Sequence, residues 1–136
     1  DRKMLKQAAK VSQDMGLNQV RFENQSIYDL DSSYRRDVLI ALAIIHWFKH
    51  TQRPHFLTFE GIFEYLDNLV GECLFVEYIA PEDPTFIQDP QLTRDMSVDK
   101  TEFSRDQFLH CIEKRFSFVK HIGDSRRMRS LYLARR

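Results

Sequence analysis

Glycine is scarce in this chain, with four among 136 residues, and Gly16, Gly61, Gly71 and Gly123 stand too far apart to build a Gly-rich loop. Such loops let backbone N–H groups close on a phosphate, so the sequence carries neither a P-loop nor a dinucleotide fingerprint. Cysteine is scarcer still. Cys73 and Cys111 lie among apolar neighbours without CxxC or Cys/His spacing, which offers no zinc ligand set and no disulfide framework. They read as buried free thiols in a reducing, cytoplasmic setting. An excess of one charge is also missing: 20 basic and 20 acidic residues cancel. That balance leaves no electrostatic footprint for nucleic acid or an anionic membrane surface. The basic cluster Arg126, Arg127, Arg129, Arg135 and Arg136 reads as the solvated face of a hairpin. No apolar run approaches the roughly 20 residues that a membrane-spanning helix needs. The charged N-terminal segment does not have the form of a signal peptide.

What the chain does have is one unbroken apolar run, Asp37-Val38-Leu39-Ile40-Ala41-Leu42-Ala43-Ile44-Ile45-His46-Trp47-Phe48. A strand covered on both faces cannot alternate apolar and polar residues, so this run predicts a buried central strand, Val38 to Ile44, in a parallel α/β sheet. Ligands of such sheets bind beyond the carboxyl ends of the strands, which is where Ile45, His46 and Trp47 would lie.

Around it the elements alternate. Residues 2–15 place Met4, Leu5, Ala8, Ala9, Val11 and Met15 on one helical stripe, with Gly16 at the expected left-handed cap. Val20 to Ile27 reads as a short strand. Thr58 caps a helix whose apolar set is Phe59, Ile62, Phe63, Leu66, Leu69 and Val70. Glu72 to Ala80 reads as a second buried strand stopped by Pro81-Glu82-Asp83-Pro84, and residues 84–101 read as a long loop. Ser104-Arg105-Asp106-Gln107 is a capping box that starts a helix through Phe108, Cys111 and Ile112. Phe116 to Ile122 and Met128 to Ala134, joined across Gly123-Asp124-Ser125, predict an antiparallel hairpin. No composition break divides the chain, so one domain is expected, within the usual size of roughly 100 to 150 residues.

Four segments stand in an order with a parallel elsewhere: Val20 to Leu30, Asp37 to Phe48, Leu74-Phe75-Val76-Glu77-Tyr78 with Pro81-Glu82-Asp83-Pro84, and Ser130-Leu131-Tyr132-Leu133-Ala134-Arg135-Arg136. This order resembles the third, fourth, fifth and last strand segments of the class I S-adenosylmethionine-dependent methyltransferases. The later segments are similar to the branch typified by the nodulation protein NoeA. The resemblance implies a Rossmann-like sheet, mostly parallel with a C-terminal antiparallel hairpin, whose strands run third, second, first, fourth, fifth, seventh, sixth. It implies that residues 1–136 are the C-terminal portion of one methyltransferase domain, because the first strand, its Gly-rich loop and the second strand have no counterpart here.

On that resemblance the cofactor is S-adenosylmethionine, with Ser26 and Ile27 on the adenine side and Ala41 and Leu42 on the methionine side. His46 is the catalytic candidate at the substrate mouth, Trp47 and Glu77 are substrate-binding candidates, and no metal is called for. Ser26 stands where the family usually has an acid. The partner implied is the missing N-terminal half, without which the fragment is expected to be inactive, and whose absence leaves an apolar strand edge open. The alternative class is a non-catalytic α/β interaction module derived from a methyltransferase, and the absent Gly-rich loop supports it. A further rival is an unrelated doubly wound enzyme. For Glu82 and Asp83 the sequence favours capping of the loop near Pro84 over ligation.

Overall fold

Burial alternates along Val70–Ile79, and that alternation decides the architecture: Leu74, Val76 and Tyr78 are buried while Cys73, Phe75 and Glu77 between them are only half-buried. A sheet with one covered face produces this pattern. The computed structural model describes residues 2–50, 53–84, 103–125 and 128–136, so the expected long loop 84–101 lies almost wholly outside the described residues, as do Arg126 and Arg127. Its described residues form two units, Asp1–Leu30 and Asp31–Arg136.

In the first unit, helix α1 spans Arg2–Asp14. Gly16 takes φ +71 just beyond it, as expected for the left-handed residue that ends a helix. The buried Ser12 hydroxyl donates to the Leu17 carbonyl at 3.0 Å and turns the chain back. Met4, Val11, Met15, Leu17, Val20 and Phe22 line an open apolar groove of about 350 Å³. The strand expected at Val20 to Ile27 does not form. Residues 20–26 have no regular structure and Ile27–Asp29 is a single 3₁₀ turn capped by Ser26. A segment that gains no ladder partner has nothing to hold it extended, and the polar Asn24-Gln25-Ser26 favours local capping instead.

The second unit is a small α/β domain built on a four-stranded mixed sheet. Strands β1 (Arg36–Ala41), β2 (Val70–Ile79), β3 (Phe118–Ser125) and β4 (Arg129–Arg135) are ordered β1-β2-β4-β3. β1 and β2 are parallel, with Val38 opposite Cys73 and Ala41 opposite Val76. The other two pairings are antiparallel. The expected parallel central pair and terminal hairpin are both present. The expectation of a mostly parallel sheet is corrected, since one pairing of three is parallel among the described residues. The hairpin is longer than expected. Gly123-Asp124-Ser125 continues β3 past an irregularity at Ile122 rather than making the turn.

The central run is corrected as well. It is not one buried strand: β1 stops at Ala41, and helix α2 begins at Ile45 and runs to His50. Ile45 and Phe48, one helical turn apart, are buried, which a strand would not have allowed on one face. Val38 and Ile40 are 52% and 64% exposed, because they share the half-buried face with Cys73 and Phe75 and lie on a strand with no second neighbour among the described residues.

Helices α3 (Phe59–Leu69) and α4 (Arg105–Glu113) cover the other face. Thr58 Oγ1 accepts from Gly61 N–H and Ser104 Oγ from Gln107 N–H, the caps that the sequence indicates. The core between helices and sheet is aromatic. Phe59 stacks on Phe103 at 4.2 Å, and Phe108 meets Phe63, Tyr78 and Tyr132 at 5.1, 5.2 and 5.3 Å. Buried large side chains each contribute roughly 1.5–3 kcal/mol, so this cluster fixes the helices on the sheet.

Candidate functional site

Beyond the carboxyl ends of β1 and β2, two turns converge on one set of charged groups. After Ala41, which is buried, the chain passes through exposed Leu42 and reaches Ala43 with φ +51. A non-glycine residue in the left-handed region costs about 1 kcal/mol or more and persists only where its surroundings hold it. Here the Ala43 N–H donates to Glu77 Oε2 at 2.9 Å, from the end of one strand to the body of the next. Glu77 lies on the half-buried face of β2, opposite Leu131 of β4.

Arg129 opens β4 on the same face, opposite Ile79. Its Nη1 lies 3.7 Å from the Glu77 oxygen that Ala43 uses, and its Nε donates to Asp83 Oδ2 at 2.8 Å. The Asp83 side chain is fully buried, and those of Arg129 and Glu77 are only 17% and 18% exposed. The bond to Asp83 is the main influence holding the Arg129 guanidinium even more firmly protonated than usual. Asp83 in turn closes the tight turn after β2, its N–H donating to the Ala80 carbonyl at 2.9 Å. One arginine thus joins the turn after β1, through Glu77, to the turn after β2.

His46 sits in the first turn of α2 rather than in a loop, 7% exposed, its ring centroid 5.2 Å from that of Trp47. Trp47 is 46% exposed and Leu42 is 52% exposed, so both present apolar surface at this end of the sheet. Ala41, Leu42, His46, Trp47 and Glu77 therefore belong to one region of the second unit. Ser26 and Ile27 belong to the first, where the Ser26 hydroxyl already accepts from Tyr28 N–H at 3.4 Å. Among the described residues, no three His, Cys, Asp or Glu side chains converge as a metal site, and no helix is long and apolar enough to cross a membrane.

Arg129 and Asp83 are the participants that sequence reasoning missed. The sequence places Arg129 among the solvated terminal arginines and Asp83 among loop caps, whereas in the structure they form a buried pair. The available signal is strand phase: Arg129 shares a face with Leu131 and Leu133, the face on which Glu77 must find a cation.

No family model matches the chain, and no curated protein does. Among solved structures it is similar to a possible exported protein from Bordetella parapertussis, with 16% identity and a TM-score of 0.65 over 100% of this chain and 51% of that one. The likeness is one of fold, and this chain spans about half the length of that protein.

Proposed function

We propose that this chain takes part in S-adenosylmethionine-dependent methyl transfer, as the C-terminal portion of a class I methyltransferase domain. The observation that carries the reading is the strand order β1-β2-β4-β3 with only its first pair parallel. It matches the fourth, fifth, seventh and sixth positions of the order that the family resemblance implies. On this reading Ala41 and Leu42 border the methionine side, His46 and Trp47 the acceptor side with Glu77 beside them, and Ser26 and Ile27 are the adenine-side candidates of the first unit.

The residues present fit only part of such a cofactor. Leu42 offers an apolar wall, but the Ser26 hydroxyl is engaged as a cap and no Gly-rich loop supplies backbone donors. The cofactor would bring an activated methyl group, and a further polypeptide segment would complete its site. The edge of β1, unpaired among the described residues and with Val38 and Ile40 half or more exposed, gives that segment a place to pair, since soluble proteins avoid leaving an apolar edge bare.

Calorimetric titration with S-adenosylmethionine and S-adenosylhomocysteine tests the reading. The 136-residue chain alone is expected to bind neither at micromolar level, about 8 kcal/mol, and a polypeptide that joins it to a Gly-rich first half is expected to bind both. Micromolar binding by the chain alone would misplace the site. No binding by the longer polypeptide would leave the interaction module as the better account.

A further inference from the structure

We propose that Glu77 is a positioning residue: its carboxylate holds the left-handed turn at Ala43 and thereby sets where Leu42 and His46 stand, with Arg129 locking it in place. The inference rests on the proposed methyl-transfer reading for the site's use, but the latch itself rests on geometry alone. Ala43 has a backbone conformation that an alanine adopts only under constraint, at φ +51. The constraint visible in the structure is a 2.9 Å hydrogen bond to Glu77 Oε2 from 34 residues away in sequence. That turn separates Leu42 from Ile45, so its conformation decides both the end of β1 and the direction in which α2 carries His46 and Trp47.

The carboxylate is poorly placed to bind a substrate directly. One oxygen already serves the Ala43 N–H and lies 3.7 Å from the Arg129 guanidinium, and the side chain is 18% exposed. Arg129 in turn is fixed by the buried Asp83 at 2.8 Å. A carboxylate so held acts on the site through the backbone it grips. The turn after β1 is then referenced to the rigid centre of the sheet, because Glu77 sits in β2 between two paired neighbours.

Three variants and two readouts test this. Glu77→Leu removes the acceptor, Glu77→Gln keeps an acceptor and drops the charge, and Arg129→Lys keeps the charge but replaces the two-way guanidinium with a single ammonium. Amide hydrogen exchange at Ala43 is read against amides in the middle of β2, which report global opening. Glu77→Leu is expected to speed Ala43 exchange about tenfold or more with β2 unchanged, Glu77→Gln to stay within about threefold, and Arg129→Lys to fall between. Should Glu77→Leu fail to fold, Arg129→Lys decides, and unchanged Ala43 exchange in Glu77→Leu, or in Arg129→Lys where that variant decides, overturns the latch. The second readout is S-adenosylhomocysteine affinity in the longer polypeptide. A loss of about tenfold in Glu77→Leu, restored in Glu77→Gln, is expected. Faster Ala43 exchange with affinity and transfer rate both unchanged would make the latch purely structural and overturn the positioning role. Failure of the wild type to bind would overturn the methyl-transfer reading and with it the positioning role, while the exchange data would still decide the latch.

Discussion

Arg129 Nε donates to Asp83 Oδ2 at 2.8 Å, and the acceptor's side chain has no solvent exposure at all. A carboxylate removed from water in this way depends on its cation, because an ionised group buried without a partner is far costlier than the pair.

Asp83→Ala should therefore destabilise the chain by about 3 kcal/mol, the range found when one partner of a buried pair is removed. Urea unfolding at neutral pH measures it. A loss below about 0.5 kcal/mol, typical of exposed pairs, would mean that the pair is accessible to water.

Gly61 is a second site of low tolerance, for a steric reason. A Cβ built there would lie 1.6 Å from the His55 carbonyl oxygen, a backbone atom that cannot swing aside. Gly61→Ala should cost roughly 1–3 kcal/mol through overpacking, although alanine is the better helix former by about 1 kcal/mol. Thermal unfolding of this variant would contradict the close approach if its midpoint were unchanged or raised.

Asp124 links the terminal hairpin to pH. The Ser130 hydroxyl, donating to its Oδ1 at 2.6 Å, and then His121 at 2.9 Å hold its carboxyl below the ordinary 3.8. A carboxyl with a depressed folded pKa contributes stability above its unfolded value and loses it as pH falls through the folded one. Hairpin stability should accordingly decline below about pH 4, and Asp124→Asn should remove that part of the slope. Unfolding measured by denaturant between neutral and strongly acidic pH checks this, and an unchanged slope in the variant counts against it.

Tyr78 gives the opposite dependence at high pH. Burial, reinforced by nearby Glu82, pushes its hydroxyl up to about 12, and that hydroxyl donates to the Phe103 carbonyl at 3.0 Å. The folded state keeps this proton while the unfolded chain releases it from about pH 10. Stability should fall as pH rises from about 10 to 12. Absorbance titration should show a tyrosine step near pH 12, and Tyr78→Phe should abolish it.

Much of the fold is legible in local chemistry. Thr58 and Ser104 start their helices because a hydroxyl acceptor precedes an apolar stripe, Gly16 ends one because it tolerates a positive φ, and the strands at Val70–Ile79 and Arg129–Arg135 are apolar enough to demand a sheet. The run from Asp37 to Phe48 was legible only in part. Its apolar residues satisfy a strand and a helix equally, and the break between them falls at Ala43, whose conformation depends on a carboxylate in another strand.

The sequence by itself determined that this is an α/β chain with capped helices and a terminal hairpin, since caps, turns and periodicity act within a few residues of one another. Only the tertiary structure decided that Val38 and Ile40 face outward, that residues 20–26 stay irregular, and that Arg129 joins Glu77 to Asp83. Those outcomes depend on which strand lies beside which and on which sheet face a helix covers, and a contact such as that between Arg129 and Asp83, 46 positions apart, carries no local signature.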